Sequence, residues 1–277
     1  MTVPRSPARR WALAVTLTVT AAVATLLVGS APAQAAAPSY VALGDSYSSG
    51  VGTREYIDDG SNCQRSVYAY PELSAQRLGA SLTFDACGGA TTADVLNNQL
   101  GHLSAGTGLV TISIGGNDAG FSDVVKKCAY PWPYDCTNDV NNAVNFIQTT
   151  LPGKLDSVYS AIRSHAANAD VVVVGYPRLF NGETCNAGAR ISATEEGQLN
   201  HAADVLAGVA SARAAAHGFS FVDPRSAFSS HEICADTEWL NGLSNPVGES
   251  YHPNRTGHVG YADLVTPVLQ ARAASRA

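Results

Sequence analysis

The stretch Tyr40-Val41-Ala42-Leu43-Gly44-Asp45-Ser46-Tyr47-Ser48-Ser49-Gly50 joins a short apolar run to a glycine- and serine-rich turn. Tyr40 to Leu43 has the length and the β-forming content of a buried strand, and Gly44 ends it abruptly. So sharp an exit presents the hydroxyl of Ser46 together with free backbone N–H groups. Comparable apolar runs recur at Leu109 to Ile114, Val171 to Val174 and Phe219 to Val222. A weaker one, Leu82 to Ala86, closes in Cys87-Gly88-Gly89.

Between these runs the apolar residues fall at helical spacing. Val144, Ile147, Leu151, Leu155, Val158 and Ile162 make one stripe, which Pro152-Gly153 should kink or break. Leu199, Ala203, Leu206 and Ala210 make another, and Tyr70 to Leu78 and the stretch after Thr256 read as helices too. Strands that alternate with helices pair in parallel, because each crossover needs a helix to return the chain. The expected fold is therefore α/β, a three-layer α/β/α arrangement around a central, mostly parallel five-stranded sheet. Such sheets bind ligands beyond the carboxyl ends of their strands. The polar turns fall there: Gly44-Asp45-Ser46, Cys87-Gly88-Gly89 and Gly115-Gly116-Asn117-Asp118 each follow a strand.

Arg5, Arg9 and Arg10 precede an apolar run from Trp11 to Val28, and Ala33-Gln34-Ala35 supplies small residues for a peptidase. Residues 1–35 are thus expected to be a cleaved secretory signal rather than a membrane anchor. Residues 36–277 should form a single domain, since no low-complexity linker divides them. The chain carries 17 Lys+Arg against 23 Asp+Glu; without Arg5, Arg9 and Arg10 the balance is 14 against 23, a net charge of −9. Nucleic acid is disfavoured as a partner, because phosphate binding needs clustered positive charge.

Cys63, Cys87, Cys128, Cys136, Cys185 and Cys234 all lie in the exported portion, where an oxidising compartment lets disulfides persist. Their pairing is not determined by the sequence, although sequential pairing is simplest. There is no Cys-x-x-Cys, and the seven histidines show neither His-x-His nor His-x-x-x-His spacing, so no metal is expected.

Asn117 follows paired glycines at a strand end, where its amide can face a developing oxyanion beside the N–H groups of Gly89 and Ser46. His252 stands in the polar loop Glu249-Ser250-Tyr251-His252-Pro253-Asn254 and is the candidate general base. No Gly-x-Ser-x-Gly elbow occurs. The Gly-Asp-Ser, glycine, Gly-x-Asn-Asp and His-Pro blocks stand in the order found in the SGNH hydrolases, and from Tyr40 to the final helix the chain resembles that family. The resemblance implies a flavodoxin-like SGNH fold and a carboxylic-ester hydrolase that needs no cofactor. It also implies Ser46 as nucleophile, His252 as base, and Gly89 and Asn117 completing the oxyanion hole.

Residues 40–52 and 109–122, with the cysteine framework, are similar to the secreted actinomycete lipases and phospholipases of that family. This implies an extracellular enzyme for lipid acyl esters, with phospholipase A1 action among the possibilities. A carbohydrate acetylesterase and a non-catalytic secreted binding module are the alternatives. The expected protein is a monomer that meets lipid surfaces at most transiently. One position departs from the family pattern: its aspartate, three residues before the histidine, is Glu249 here. Either that carboxylate reaches the second ring nitrogen, or the backbone carbonyl of Ser250 orients the ring; the secreted branch resembles the second case. Tyr130, Trp132 and Tyr134, set between Pro131 and Pro133, read either as a lipid-facing rim or as a cover for the core.

Overall fold

The computed structural model describes residues 1–4, 37–185 and 191–274. The chain divides into two compact units, Met1–Ala36 and Ala37–Ala277. In the first, residues 1–4 carry no regular structure. The rest of the expected secretory signal, residues 1–35, lies outside the described residues.

The second unit runs β1 (Ser39–Gly44), α1 (Ser46–Ser49), α2 (Tyr70–Leu78), β2 (Ser81–Phe84), α3 (Thr92–Asn98) and β3 (Leu109–Ser113). It continues with α4 (Phe121–Cys128), α5 (Thr137–Thr149), α6 (Leu151–His165), β4 (Asp170–Val174) and α7 (Ala193–Ala216). β5 (Ser220–Val222), α8 (Arg225–Phe228), a 3₁₀ turn at Val247–Glu249 and α9 (Arg255–Ala274) complete it. The strands lie in the order β2-β1-β3-β4-β5. Every pairing is parallel, so the sheet expected to be mostly parallel is wholly so.

Side chains alternate along a strand, so a sheet covered on both faces needs two cores. Tyr40, Ala42, Val172 and Val174 join the core that holds Tyr70 of α2 and Tyr261, Val265 and Leu269 of α9. Val41, Leu43, Val110, Ile112, Val171 and Val173 join the other, against Val95 of α3 and Leu155, Val158 and Ile162 of α6. Each fully buried Val, Leu or Ile among them is worth about 1.5–3 kcal/mol. The two faces together therefore hold the sheet rigid at the end where its loops emerge.

The long stripe from Val144 to Ile162 is divided between α5 and α6. The break comes at Thr150 rather than at Pro152-Gly153, because a proline ring is tolerated in the first turn of a helix, where no N–H acceptor is lost. α7 extends beyond Leu199 to Ala210 at both ends, and its start is fixed by a capping box between Ser192 and Glu195. The disulfides adopt the sequential pairing, Cys63–Cys87, Cys128–Cys136 and Cys185–Cys234. The first of these ties the loop after α1 to the glycine block, where Gly88 N–H donates to the Cys63 carbonyl at 2.8 Å.

Between α2 and α9, His258 is fully buried and its Nδ1 accepts the Tyr70 N–H at 3.3 Å. Burial, with a smaller contribution from His252, pushes its pKa down from 6.5 to about 3. The folded chain keeps this ring neutral where the unfolded chain protonates it, so stability drains away as the pH falls from 6.5 towards 3. Asp45, whose carboxyl is pushed up to about 7 by burial, acts in the opposite sense. Comparison with His258→Gln leaves the Asp45 contribution common to both proteins. Melting temperatures followed by circular dichroism between pH 7 and 4 should fall more steeply for the wild type than for His258→Gln; parallel curves would remove His258 from the account.

Candidate active site

β1 sits where the strand order reverses, with β2 on one side and β3 on the other, the position at which α/β sheets open a crevice. The register sets Gly44 against Ser113. Gly44 turns the chain at φ +122°, and a Cβ there would stand 2.3 Å from the Ser113 carbonyl oxygen, so only glycine fits. The next residue, Asp45, caps α1 by accepting the Tyr47 N–H at 3.0 Å. Ser46 therefore opens a helical turn directly above the sheet.

The buried Asp45 carboxylate also accepts the Tyr176 hydroxyl at 2.5 Å, and that hydroxyl oxygen accepts the Gly116 N–H at 3.3 Å. Tyr176 thereby links the turn after β1 to the turn after β3, where Asn117 stands. Burial outweighs these hydrogen bonds in setting the carboxyl near 7. Asn117 Nδ2 donates one hydrogen to the Ala90 carbonyl at 2.9 Å, which fixes the amide beside the glycine block and leaves its second hydrogen for another acceptor. Among the described residues, the N–H groups of Ser46 and Gly89 donate to no protein acceptor.

His252 arrives from the far end of the chain. Its Nε2 lies 2.8 Å from Ser46 Oγ, and its Nδ1 lies 2.8 Å from the Ser250 carbonyl oxygen. With Nδ1–H donated to that carbonyl, Nε2 is the acceptor that faces the hydroxyl. Burial pulls the imidazole pKa below its ordinary value, against smaller upward pushes from the Ser250 hydrogen bond and the Glu249 charge. The ring is thus neutral, and able to accept a proton, at lower pH than a free imidazole.

Tyr251, between these two residues, adopts φ +63°, a left-handed conformation that costs on the order of 1 kcal/mol for a bulky residue. Three hydrogen bonds hold it there: the Tyr47 hydroxyl donates to the Tyr251 carbonyl at 2.7 Å, Tyr251 N–H to the Asn241 carbonyl at 2.8 Å, and Asn241 N–H to the His252 carbonyl at 2.9 Å. Glu249 does not contact the imidazole. One of its carboxylate oxygens accepts the Tyr56 hydroxyl, and the other is buried with no partner among the described residues.

Beside Ser46 opens a cavity of about 720 Å³, counted with its mouth. Ser46, Asn117 and Tyr176 form its polar end, and Phe121, Val124, Ile147, Leu199 and Leu206 are among the apolar side chains that make up the rest. A hydroxyl, a neutral imidazole, free N–H donors and an apolar chamber together suit acyl transfer from an ester whose acyl group is hydrophobic.

Residues 42–259 match the family described as GDSL-like Lipase/Acylhydrolase. The chain belongs to that family. It is accordingly a carboxylic-ester hydrolase. Lipase 1 of Streptomyces coelicolor is 49% identical to this hydrolase over 241 residues, 84% of this chain and 89% of that one. The extracellular lipase of Streptomyces rimosus superposes with a TM-score of 0.79 at 44% identity, covering 83% of this chain and 99% of that one. The phospholipase A1 of Streptomyces albidoflavus gives 0.79 at 46% identity, covering 86% and 100%.

Sequence reasoning singled out Ser46, Gly89, Asn117, Glu249, Ser250 and His252, and the fold brings Ser46, His252 and the Ser250 carbonyl into one hydrogen-bonded chain. It missed Tyr47, Tyr176 and Asn241. The Asn241 amide donates to the Gly52 carbonyl at 2.9 Å and to the Glu249 carbonyl at 3.3 Å, so one side chain clasps the loop after Ser46 to the loop before His252. Nothing in the sequence around Asn241 signals this, since its partners are backbone atoms that carry no residue signature.

Asn241→Ala should cost about 1–3 kcal/mol in stability and lower kcat on a soluble short-chain ester on the order of 10-fold. KM should change little, because the cavity is untouched. Chemical denaturation and steady-state kinetics check both, and an unchanged kcat would reduce Asn241 to a structural residue.

Proposed function

We propose that the protein is a secreted serine hydrolase of lipid acyl esters that works through an acyl-enzyme on Ser46. The observation that carries this reading is the 2.8 Å contact between Ser46 Oγ and His252 Nε2 at the polar end of an apolar cavity. His252 takes the hydroxyl proton as Ser46 attacks the ester carbonyl. The N–H groups of Ser46 and Gly89 and the free amide hydrogen of Asn117 receive the oxyanion. His252 then gives the proton to the departing alcohol, and water, deprotonated by the same ring, releases the acid.

The Ser250 carbonyl holds the tautomer that this cycle needs. A neutral acceptor stabilises the imidazolium less than a carboxylate does, and the buried charge of Glu249 makes up part of the difference through space. The apolar cavity houses the acyl chain, which favours long-chain esters over acetyl groups on sugars. The phospholipase A1 of Streptomyces albidoflavus supports sn-1 cleavage of phospholipids as the finer assignment. Residues 1–35 serve as the cleaved signal and residues 36–277 as a single hydrolase domain, a monomer outside the cell; the three disulfides are in keeping with that compartment.

Phosphatidylcholine with distinct sn-1 and sn-2 chains provides the test, with released acids identified by mass spectrometry. Wild type should release the sn-1 acid, and Ser46→Ala should release none while melting at the wild-type temperature. Asn117→Ala should lose on the order of 10²-fold or more in turnover. Persistent lipid hydrolysis by Ser46→Ala would overturn the assignment of the nucleophile, and release of the sn-2 acid would overturn the positional assignment.

Glu249 provides a separate check. Glu249→Gln retains an acceptor for Tyr56 but removes the charge that raises the His252 pKa. The acid limb of kcat/KM should therefore move to lower pH, with most of the plateau rate retained. Loss of several orders of magnitude would show instead that the carboxylate orients the ring.

A further inference from the structure

The loop that joins α4 to α5 has no part in the chemistry above, yet it carries the most exposed large aromatic side chain among the described residues. Trp132 is 90% exposed, flanked by Tyr130 at 52% and Tyr134 at 40%. Burying any of these rings would be worth a kilocalorie-scale gain, so three left in water within five residues require a reason. They are also held in place. The Cys128–Cys136 disulfide closes the loop, prolines stand on both sides of Trp132, and the Tyr130 and Tyr134 rings meet edge to face at 5.3 Å. Little conformational freedom is left to lose when the patch meets a partner.

The two lysines beside the patch are already paired. Lys127 lies 2.5 Å from Asp139, which also accepts the Tyr134 hydroxyl at 2.5 Å. Lys126 pairs with Asp123 at 3.3 Å, and Asp135 accepts the Thr137 N–H at 2.7 Å. No surplus positive charge remains to draw the loop to an anionic surface. Trp and Tyr rings with a polar edge do, however, settle at the headgroup level of a bilayer. A second copy of the chain is a poorer fit: the three rings expose on the order of 400 Å², against the roughly 800 Å² per partner of a stable protein pair. Finally, the helices joined by the loop supply Phe121, Val124, Ala143 and Ile147 to the apolar cavity, so a surface gripped by the loop is gripped by the wall of that cavity.

We propose that the Cys128–Cys136 loop is the docking patch by which the enzyme settles on a zwitterionic phospholipid surface, with Trp132 as the inserted anchor. This rests on the reading of the enzyme as a lipid hydrolase. Trp239 is stacked on His231 at 4.0 Å between ring centroids, and Trp11 lies in the segment proposed to be cleaved. The part of the quenching that is lost in Trp132→Phe therefore reports Trp132.

Binding is measured by co-sedimentation of the processed Ser46→Ala chain with phosphatidylcholine vesicles, together with quenching of its emission by brominated phosphatidylcholine. Ser46→Ala should bind and be quenched, and admixture of phosphatidylglycerol should not tighten binding. Adding Trp132→Ala should weaken binding at least 10-fold, whereas Trp132→Phe should retain most of it, and both should melt with the parent. In the active enzyme, Trp132→Ala should leave hydrolysis of a soluble short-chain ester unchanged while slowing hydrolysis of vesicle phosphatidylcholine. Equal binding without Trp132, unquenched emission from bound protein, or no binding by the parent would overturn the proposal. So would a change in sedimentation coefficient on Trp132→Ala with vesicle binding intact, which would make the patch a contact between copies. Failure to cleave a lysophospholipid below its micelle concentration would instead strike the substrate reading, independently of docking.

Discussion

The close approach of Gly44 to Ser113 is the constraint on which the rest of the site depends. β1 and β3 pair in register up to their last residues, and the chain then has to leave the sheet where a side chain would collide with the Ser113 carbonyl. With glycine there, the backbone turns at once, Asp45 folds back to cap α1, and Ser46 is delivered at the mouth of the crevice rather than along the strand. The two cores that clamp the sheet make this position rigid, since neither strand can shift without opening both faces.

His252 is held by a different kind of interaction. His252 belongs to a loop more than two hundred residues from Ser46, and no helix or strand of the central sheet carries it. Its position is the sum of hydrogen bonds to backbone atoms: Asn241 to Gly52, Glu249 and His252, and Tyr47 to Tyr251. Gly52 belongs to the same device, because a Cβ there would meet the Pro253 carbonyl at 2.3 Å and force the two loops apart. The left-handed Tyr251 is the local strain that this clasp sustains, and it turns the Ser250 carbonyl onto the imidazole. Burial lowers the pKa of the ring, and the carbonyl's hydrogen bond, which raises it, offsets only part of that shift.

The cavity and the aromatic loop share a pair of helices. α4 and α5 line the apolar chamber on one face and are joined at their ends by the Cys128–Cys136 loop. The short disulfide closes only a small ring of chain, so its entropic contribution is modest beside that of Cys185–Cys234. Its consequence is geometric: it fixes where the loop leaves α4 and re-enters α5, and with it the direction in which the aromatic rings stand.

The sequence by itself determined the sheet, its helices and the polar turns at the strand ends, because apolar periodicity, glycine and proline placement and strand-end polarity are local signals. The order of the polar blocks pointed to Ser46, Gly89, Asn117 and His252 as a set, and the fold brings Ser46 Oγ and His252 Nε2 within 2.8 Å of each other. The break between α5 and α6 was legible to within two residues, and the error came from a proline that is harmless in a first turn. Only the tertiary structure decided which cysteines pair, that Glu249 turns to Tyr56 while Ser250 faces His252, and that Asn241, Tyr47 and Tyr176 brace the site. Those contacts join residues far apart in the chain, many through backbone atoms, and a main-chain carbonyl looks the same at every position until the fold gives it a neighbour.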